Sequence, residues 1–366
     1  MPLASDATPT PANRLGLDYA AEAAKLGAPV VPMIDAHAHI NGGRAAAIYR
    51  TVTDLFGVAE VWSQTQLVQA DDVRAVLGER VRFVAIPDYM SPDPAHAHRQ
   101  GFLDNIRAWH AKGARIIKFW CAPRGRDYGR EIGEPLLLTL DSAWRRKQMD
   151  EAASLGMKFM AHIADPDTWF ATKYSDASIY GTKLSQYEPL ERLADEYPVP
   201  WLIAHMGGFP EDLNFLTGLL DRHPNLYLDT SATKWMVREL SRHGSRDLVA
   251  FLSRFSGRIL FGSDIVTMDS HLSDDAGPRN MGAQASNERD AFDLYASRYW
   301  ALRTMFETGY SGESPIADPD LMMVDPEKYD SMSAPMLRGH ALAGGVLRTL
   351  YRDAAAHFAG LPVIPR

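Results

Sequence analysis

Val30–Ile40 reads VVPMIDAHAHI. An apolar run leads into Asp35-Ala36-His37-Ala38-His39, so polar groups collect at one end of a segment with strand character. In an extended segment, residues i and i+2 face the same side. His37 and His39 can therefore approach one cation together, as neutral imidazoles do with zinc or a similar metal. His96-Ala97-His98 has the same spacing. It follows Ser91-Pro92-Asp93-Pro94 and opens a helical pattern, where residues two apart diverge. That second doublet is read as solvated.

Segments of the first kind recur along the chain. Ala59–Gln64, Val81–Pro87, Ala114–Cys121, Lys158–Ile163, Pro200–His205, Asn225–Ser231 and Arg258–Asp264 each read as a strand followed by a helical pattern. The helices are expected near Ala45–Phe56, Asp71–Gly78, Ala95–Lys112, Leu140–Leu155, Tyr187–Glu196, Asp212–Arg222, Lys234–Phe255 and Ala341–Phe358. Such alternation means parallel strands covered by helices. Eight units predict an α/β fold of the (β/α)8 TIM-barrel type. A doubly wound open sheet is the alternative, and it lacks its glycine-rich phosphate turn after the first strand.

The expected organisation is an N-terminal arm over residues 1–29 and a single barrel domain over residues 30–366. The arm is polar and Pro/Thr-rich and reads as loose, leading into a short helix near Leu17–Leu26. Long insertions follow strand five (Asp165–Gln186) and strand eight (Ile265–Gly339), the latter with a helical patch near Glu288–Thr308. Long loops at strand C-termini build the rim of a barrel's mouth. Much of Ser311–Gly339 reads equally as surface decoration.

Three further polar residues end apolar strands: His162 in KFMAHI, His205 in WLIAHMGG and Asp264 in ILFGSD. Singly, each reads as a satisfied structural residue. Together with His37 and His39 they fall at strands one, five, six and eight, whose C-terminal ends converge in a barrel. Three or four ligands with an open position is the usual make-up of a hydrolytic metal site.

Composition sets the outer limits. The 366 residues are 46% hydrophobic and 23% charged, which is globular. A chain of this size buries roughly three quarters of its unfolded surface. The net charge of −8 speaks against a broad nucleic-acid footprint. A single cysteine, Cys121, excludes an internal disulfide framework and a multi-cysteine zinc site, and it reads as a small buried residue. No run approaches the ~20 apolar residues of a membrane helix, and the N-terminus lacks the pattern of a signal peptide. The expectation is a cytoplasmic protein with a small-molecule substrate and no nucleic-acid or membrane partner; a homo-oligomer is compatible.

The H-x-H of His37 and His39, the strand-five His162, the A-H-M-G-G of Ala204–Gly208 and the F-G-S-D of Phe261–Asp264 together resemble the amidohydrolase superfamily. The resemblance is to the amidohydrolase-related branch of metal-dependent hydrolases that includes aminocarboxymuconate semialdehyde decarboxylase. It spans about Met33 to Gly360 in layout. It implies one divalent metal held by His37, His39, His162 and Asp264. Zinc comes first, although manganese and iron suit the same donors. His205 would act with Asp264 in acid/base catalysis, and Gly207 and Gly208 would let the backbone turn tightly past the site.

The implied reaction is hydrolysis by a metal-activated water of an ester, lactone, amide or similar bond in a small substrate, for which a carboxylate is plausible. The alternative in the same branch is a lyase, a non-oxidative decarboxylase of an aromatic or unsaturated acid. A non-catalytic metal-binding barrel is the reading from another class. Metal-dependent deoxyribonucleases of the superfamily resemble the chain at the first H-x-H. They carry a Glu about where Lys118 stands, and the −8 charge also speaks against them. Lys118 is ambiguous, because binuclear members carry a carboxylated lysine there as a second-metal bridge. The favoured reading is an uncarboxylated lysine that pairs with a carboxylate or touches substrate. Trp120, Arg124, Trp169 and Lys173 are candidates for substrate binding, with Arg126, Asp165 and Tyr174 close enough to line the mouth; ordinary loop packing is the competing reading. Met322-Met323 reads as a packing plug.

Overall fold

Eight short parallel strands set the architecture: β1 (Met33–Ile40), β2 (Val58–Ser63), β3 (Val81–Phe83), β4 (Ile116–Trp120), β5 (Lys158–His162), β6 (Trp201–Ile203), β7 (Leu226–Asp229) and β8 (Ile259–Leu260). The computed structural model describes residues 9–273 and 284–360. The strands pair in the orders β3-β2-β1-β9 and β4-β5-β6-β7-β8, where β9 is Ile265–Thr267. Backbone hydrogen bonds join the two sheets at both seams. On one side Ala85 N donates to Ile116 O (2.8 Å) and Lys118 N to Ala85 O (2.9 Å). On the other Ala36 N donates to Phe261 O (2.9 Å) and Asp264 N to His37 O (2.8 Å). The strands thus run round in sequence order as a (β/α)8 barrel.

The barrel interior explains which side chains reach the mouth. Its floor is a cluster with one layer residue from every strand: Ile34 and Ala36, Trp62, Val84, Ile116, Met160, Leu202, Tyr227 and Leu260. Ala354, Ala355 and Phe358 of the last helix plug it from below. Strand side chains repeat every second residue. Stepping by two from the floor therefore leads to Lys118 and Trp120, His162, Asp229 and Asp264. β1 would break this parity, because Ile34 and Ala36 are even-numbered while both histidines are odd. Its register against β2 shifts between Asp35 and Ala38. Such a shift re-aims the following side chains.

Several boundaries differ from expectation for identifiable reasons. The helix expected over Lys234–Phe255 is two, Thr233–Leu240 and Ser245–Arg254, separated at an extended Gly244. The first helical stretch after β3 breaks at Arg99, whose φ of −107° and ψ of −110° are not helical. The run Arg258–Asp264 is not one strand, because Asp264 adopts a φ of 59° and redirects the chain into β9. The arm is not loose over its described part. Pro11 O accepts from Ala317 N (2.7 Å), Arg14 N donates to Pro315 O (2.9 Å) and Asn13 Nδ2 to Asp293 Oδ2 (2.9 Å). Met322 is 39% exposed and plugs nothing. The helix Glu288–Glu307 is buried along most of its length. No helix among the described residues is long and apolar enough to cross a membrane.

Backbone strain gathers at one end of the barrel. Five non-glycine residues take positive φ among the described residues, and four of them (His205, Met206, Ala232 and Asp264) follow β6, β7 and β8. Such conformations cost of order 1–3 kcal/mol each, so the surrounding contacts must hold them. After β6 the turn continues through Gly207 and Gly208 at φ of 68° and 73°. A Cβ on Gly208 would overlap the Ala164 carbonyl, whereas one on Gly133, also at positive φ, would meet nothing within 4 Å. Gly208→Ala should therefore lower the melting temperature well beyond Gly133→Ala, which pays only the backbone cost of about 1–2 kcal/mol. Thermal unfolding of the two variants checks this, and equal shifts would contradict it.

Candidate metal centre

Strand ends bring five polar side chains together over the apolar floor. Asp264 Oδ1 lies 3.1 Å from His39 Nε2 and 3.4 Å from His37 Nε2. Donor atoms of these three residues all fall within 4.8 Å of one another. Lys118 Nζ is 3.4 Å from the same His37 nitrogen. His205 packs against His37 with ring centroids 5.0 Å apart and against His162 at 4.5 Å, nearly perpendicular. The residues singled out from the sequence at strands one, five, six and eight thus form one continuous cluster.

Hydrogen bonds fix which imidazole nitrogens face the centre. His37 Nδ1 lies 2.9 Å from Asp229 Oδ2. A carboxylate only accepts, so Nδ1 carries the proton and Nε2 presents its lone pair beside Asp264. The Ser231 hydroxyl donates to Asp229 Oδ1 in a short contact. Having used its one proton, Ser231 Oγ must accept from His205 Nδ1 at 2.7 Å. His205 Nε2 is then unprotonated. His162 Nε2 is 2.7 Å from Asp165 Oδ1, whose other oxygen accepts from Tyr174 OH at 2.6 Å. This leaves His162 Nδ1 as the nitrogen available to a ligand.

A second trio, His37, His205 and Asp229, also has donor atoms within 4.8 Å. It is fully buried, and its members are already joined through hydrogen bonds and Ser231. The arrangement orients imidazoles from behind, as a carboxylate does for a metal-binding histidine. The front trio differs, since the side chains of His39 and Asp264 are 29% and 28% exposed. Two imidazole nitrogens and a carboxylate oxygen, with access from one side, fit a divalent cation with an open position.

Asp35 holds this layer from β1. Its Oδ1 accepts from His37 N (3.1 Å) and Ser263 N (3.0 Å), and its Oδ2 from the Ser263 (2.6 Å) and Tyr299 (2.7 Å) hydroxyls. Burial pushes its carboxyl up to about 6, against the pull of those four donors. Burial would also raise Asp229 and Asp264. For Asp229 the charges and hydrogen bonds of His37, His205 and Ser231 overcome this, and for Asp264 those of His39, His205 and His37; both stay well below the usual carboxylate range. Burial, then the nearby His162, drives His205 far below the usual imidazole value. Burial also lowers His37, aided by Lys118. Lys118 itself comes down to about 8 through burial, opposed by Asp229 and Asp264.

The rim residues separate into two groups. Trp120 is 6.5 Å from the His162 ring, edge-on. Trp169 stands one ring further out, against Trp235 at 6.2 Å. Arg124 is exposed with its guanidinium 5.6 Å from the Tyr128 ring, and Lys173 is exposed on the loop after Asp167–Phe170. Cys121 is free and buried. His96 is exposed, but His98 is half-buried against Tyr89, with ring centroids 5.7 Å apart. Sequence reasoning passed over Asp229, Ser231 and Trp235. Asp229 ends the apolar run of NLYLDTS as Asp264 ends ILFGSD, so the same rule would have found it. Trp235, 5.5 Å from the His205 ring and 6.2 Å from His162, had no such signal.

The amidohydrolase family profile matches residues 28–285. No curated protein matches the chain. Among solved structures it is similar to N-acetyl-D-glucosamine-6-phosphate deacetylase from Mycobacterium smegmatis, at 13% identity over 91% of this chain and 79% of that one, with a TM-score of 0.45. It is also similar to 5-carboxyvanillate decarboxylase from Novosphingobium aromaticivorans, solved with manganese, at 11% identity over 92% and 97%, TM-score 0.40. A third is a probable 2-pyrone-4,6-dicarboxylic acid hydrolase from Acinetobacter baumannii, at 12% over 73% and 92%, TM-score 0.40. With the family profile covering more than two thirds of its length, the chain belongs to the amidohydrolase family and is an enzyme of that superfamily.

Proposed function

We propose that this enzyme is a metal-dependent hydrolase that opens an ester, lactone, amide or similar bond of a small substrate at a single divalent cation, zinc in the first place. The ligands in this reading are His37, His39, His162 and Asp264. The observation that carries it is Asp264 Oδ1 standing 3.1 and 3.4 Å from two imidazole nitrogens, one of which is oriented by Asp229 from behind. A divalent cation in such a place supplies Lewis acidity, polarising an acyl oxygen and making water acidic near neutral pH. The protein's own groups supply the rest. His205 is held with its proton on Nδ1 toward Ser231, so its Nε2 is free to take a proton from the nucleophile and return it to the leaving group. Asp229 and Ser231 keep that tautomer in place. Trp120 and Trp235 bound the imidazoles with apolar rings that limit water.

Lys118 reads as a cation facing the centre rather than as a bridge between two metals, in keeping with the single-metal motifs. Metal analysis of the purified protein should return one equivalent per chain; two equivalents would make Lys118 a bridge. His37→Ala and Asp264→Asn should lose both bound metal and turnover on an ester and lactone panel. Release of carbon dioxide from aromatic acids, with that panel inert, would replace the hydrolase by a lyase.

Two further variants separate orientation from proton transfer. Asp229→Asn should weaken metal affinity about 10–100-fold, as loss of a carboxylate behind a ligand histidine does elsewhere. His205→Asn should keep one metal per chain yet lose about 10²–10⁴ in kcat, the range for a general acid/base. Metal retention with unchanged kcat in His205→Asn would remove that residue from the mechanism.

A further inference from the structure

Two cations beside the centre have no counter-ion. Lys234 lies in the first turn of the helix Thr233–Leu240, and Arg298 midway along Glu288–Glu307. Their helices are fastened to the same point at the end of β8. Thr233 Oγ1 donates to Ser263 O at 2.8 Å. Tyr299, next to Arg298, shares the Asp35 Oδ2 acceptor with the Ser263 hydroxyl. The residue after Ser263 is Asp264. Each cation is therefore the chain neighbour of a group anchored one residue from the candidate metal ligand. Arg298 feels the charge of Asp264, and Lys234 that of Arg298.

Both side chains are half-buried, and neither makes an ion pair among the described residues. Arg298 donates through Nη1 to Ser297 Oγ at 2.8 Å. The carboxylates around Lys234 are occupied. Asp318 is paired with Arg238 in a short contact. Asp320 Oδ2 accepts from Arg238 (3.3 Å) and from the indoles of Trp169 and Trp235 (2.9 Å each). Asp264 is taken by His39 and His37. Burial brings Arg298 down to about 10, so it stays charged at neutral pH.

Desolvated like charges without an anion are costly. A guanidinium fork with an adjacent ammonium is a match for a carboxylate. We propose that Lys234 and Arg298 form a carboxylate-binding subsite for the substrate of this enzyme. The proposal rests on the metal-centred reading above for the location of the reacting bond. Trp235, next to Lys234 and in ring contact with His205 and His162, brings an apolar surface to the same stretch of the mouth. The ligand class is a small carboxylic acid with an apolar body, its carboxylate on the cations and its scissile bond toward the imidazoles. Arg124, expected from the sequence as a rim arginine, lies instead over Tyr128.

Calorimetric titration of the metal-loaded protein with benzoate and with benzamide, its neutral counterpart, tests this. Benzoate should bind at least about ten-fold more tightly, and Lys234→Gln or Arg298→Gln should each weaken benzoate about ten-fold while leaving benzamide unchanged, the size of one charged hydrogen bond. Lys234→Arg should retain most of the preference. Neither residue offers a metal donor, so metal content should stay at the wild-type level in every variant. The titration repeated on metal-depleted protein should keep the preference. Benzoate binding that vanishes with the metal and ignores both Gln substitutions would put the carboxylate on the cation and overturn the subsite, as would no preference over benzamide. If Arg298→Gln fails to fold, Lys234→Gln decides alone. Failure of metal binding in the wild type would sink the hydrolase reading without touching the benzoate result.

Discussion

The site depends on a carboxylate that no solvent reaches. Asp229 is fully buried at the end of β7, and its two oxygens accept from His37 Nδ1, the His205 and Ser231 amides and the Ser231 hydroxyl. A buried charge is tolerable only when it is fully hydrogen-bonded. Meeting that demand draws together the ends of β1, β6 and β7. It also sets the tautomer of His37 and, through Ser231, that of His205. The strained His205–Gly208 turn is held at its first residue by the same acceptor. Asp35 does the equivalent work between β1 and β8, through the Ser263 and Tyr299 hydroxyls. Two buried carboxylates thus align the polar layer above an otherwise apolar barrel.

Access divides this layer. Asp229, His37 and His205 are closed off, while Asp264 and His39 open toward the mouth. The wall on that side comes from elements outside the eight-fold repeat. Trp235 belongs to the helix after β7. Asp320, which holds the Trp235 and Trp169 indoles together, comes from the insertion after β8. The same insertion supplies the helix Glu288–Glu307, whose Tyr299 steadies Asp35 and whose Arg298 stands near Asp264. The insertion is therefore a structural part of the centre as well as its rim. Chemistry resides on the strand ends and substrate choice on what surrounds them, the usual division in this fold.

Much of the centre was legible because strands have a strict period. His162, Lys118, Asp229 and Asp264 are each two or four residues above a floor side chain of their own strand, so the pattern alone aims them inward. The histidine pair obeys the rule only locally. Its phase relative to Ile34 and Ala36 is reset by the register shift against β2, which local spacing does not reveal. His98 shows the opposite failure: the helical context argued against chelation, but not that its ring would pack on Tyr89.

Sequence by itself therefore determined the alternating α/β architecture and the identity of the converging histidines and Asp264, because hydrophobic periodicity and strand parity are local properties of the chain. Tertiary structure alone decided which nitrogen of each imidazole faces the centre, that the two expected rim tryptophans are joined by Trp235, and that Lys234 and Arg298 stand together without an anion. Those outcomes depend on contacts between residues far apart in the chain, such as His37 with Asp229 or Trp235 with Asp320. No local pattern encodes such contacts, since they arise only when packed helices and a closed sheet bring distant side chains within hydrogen-bonding distance.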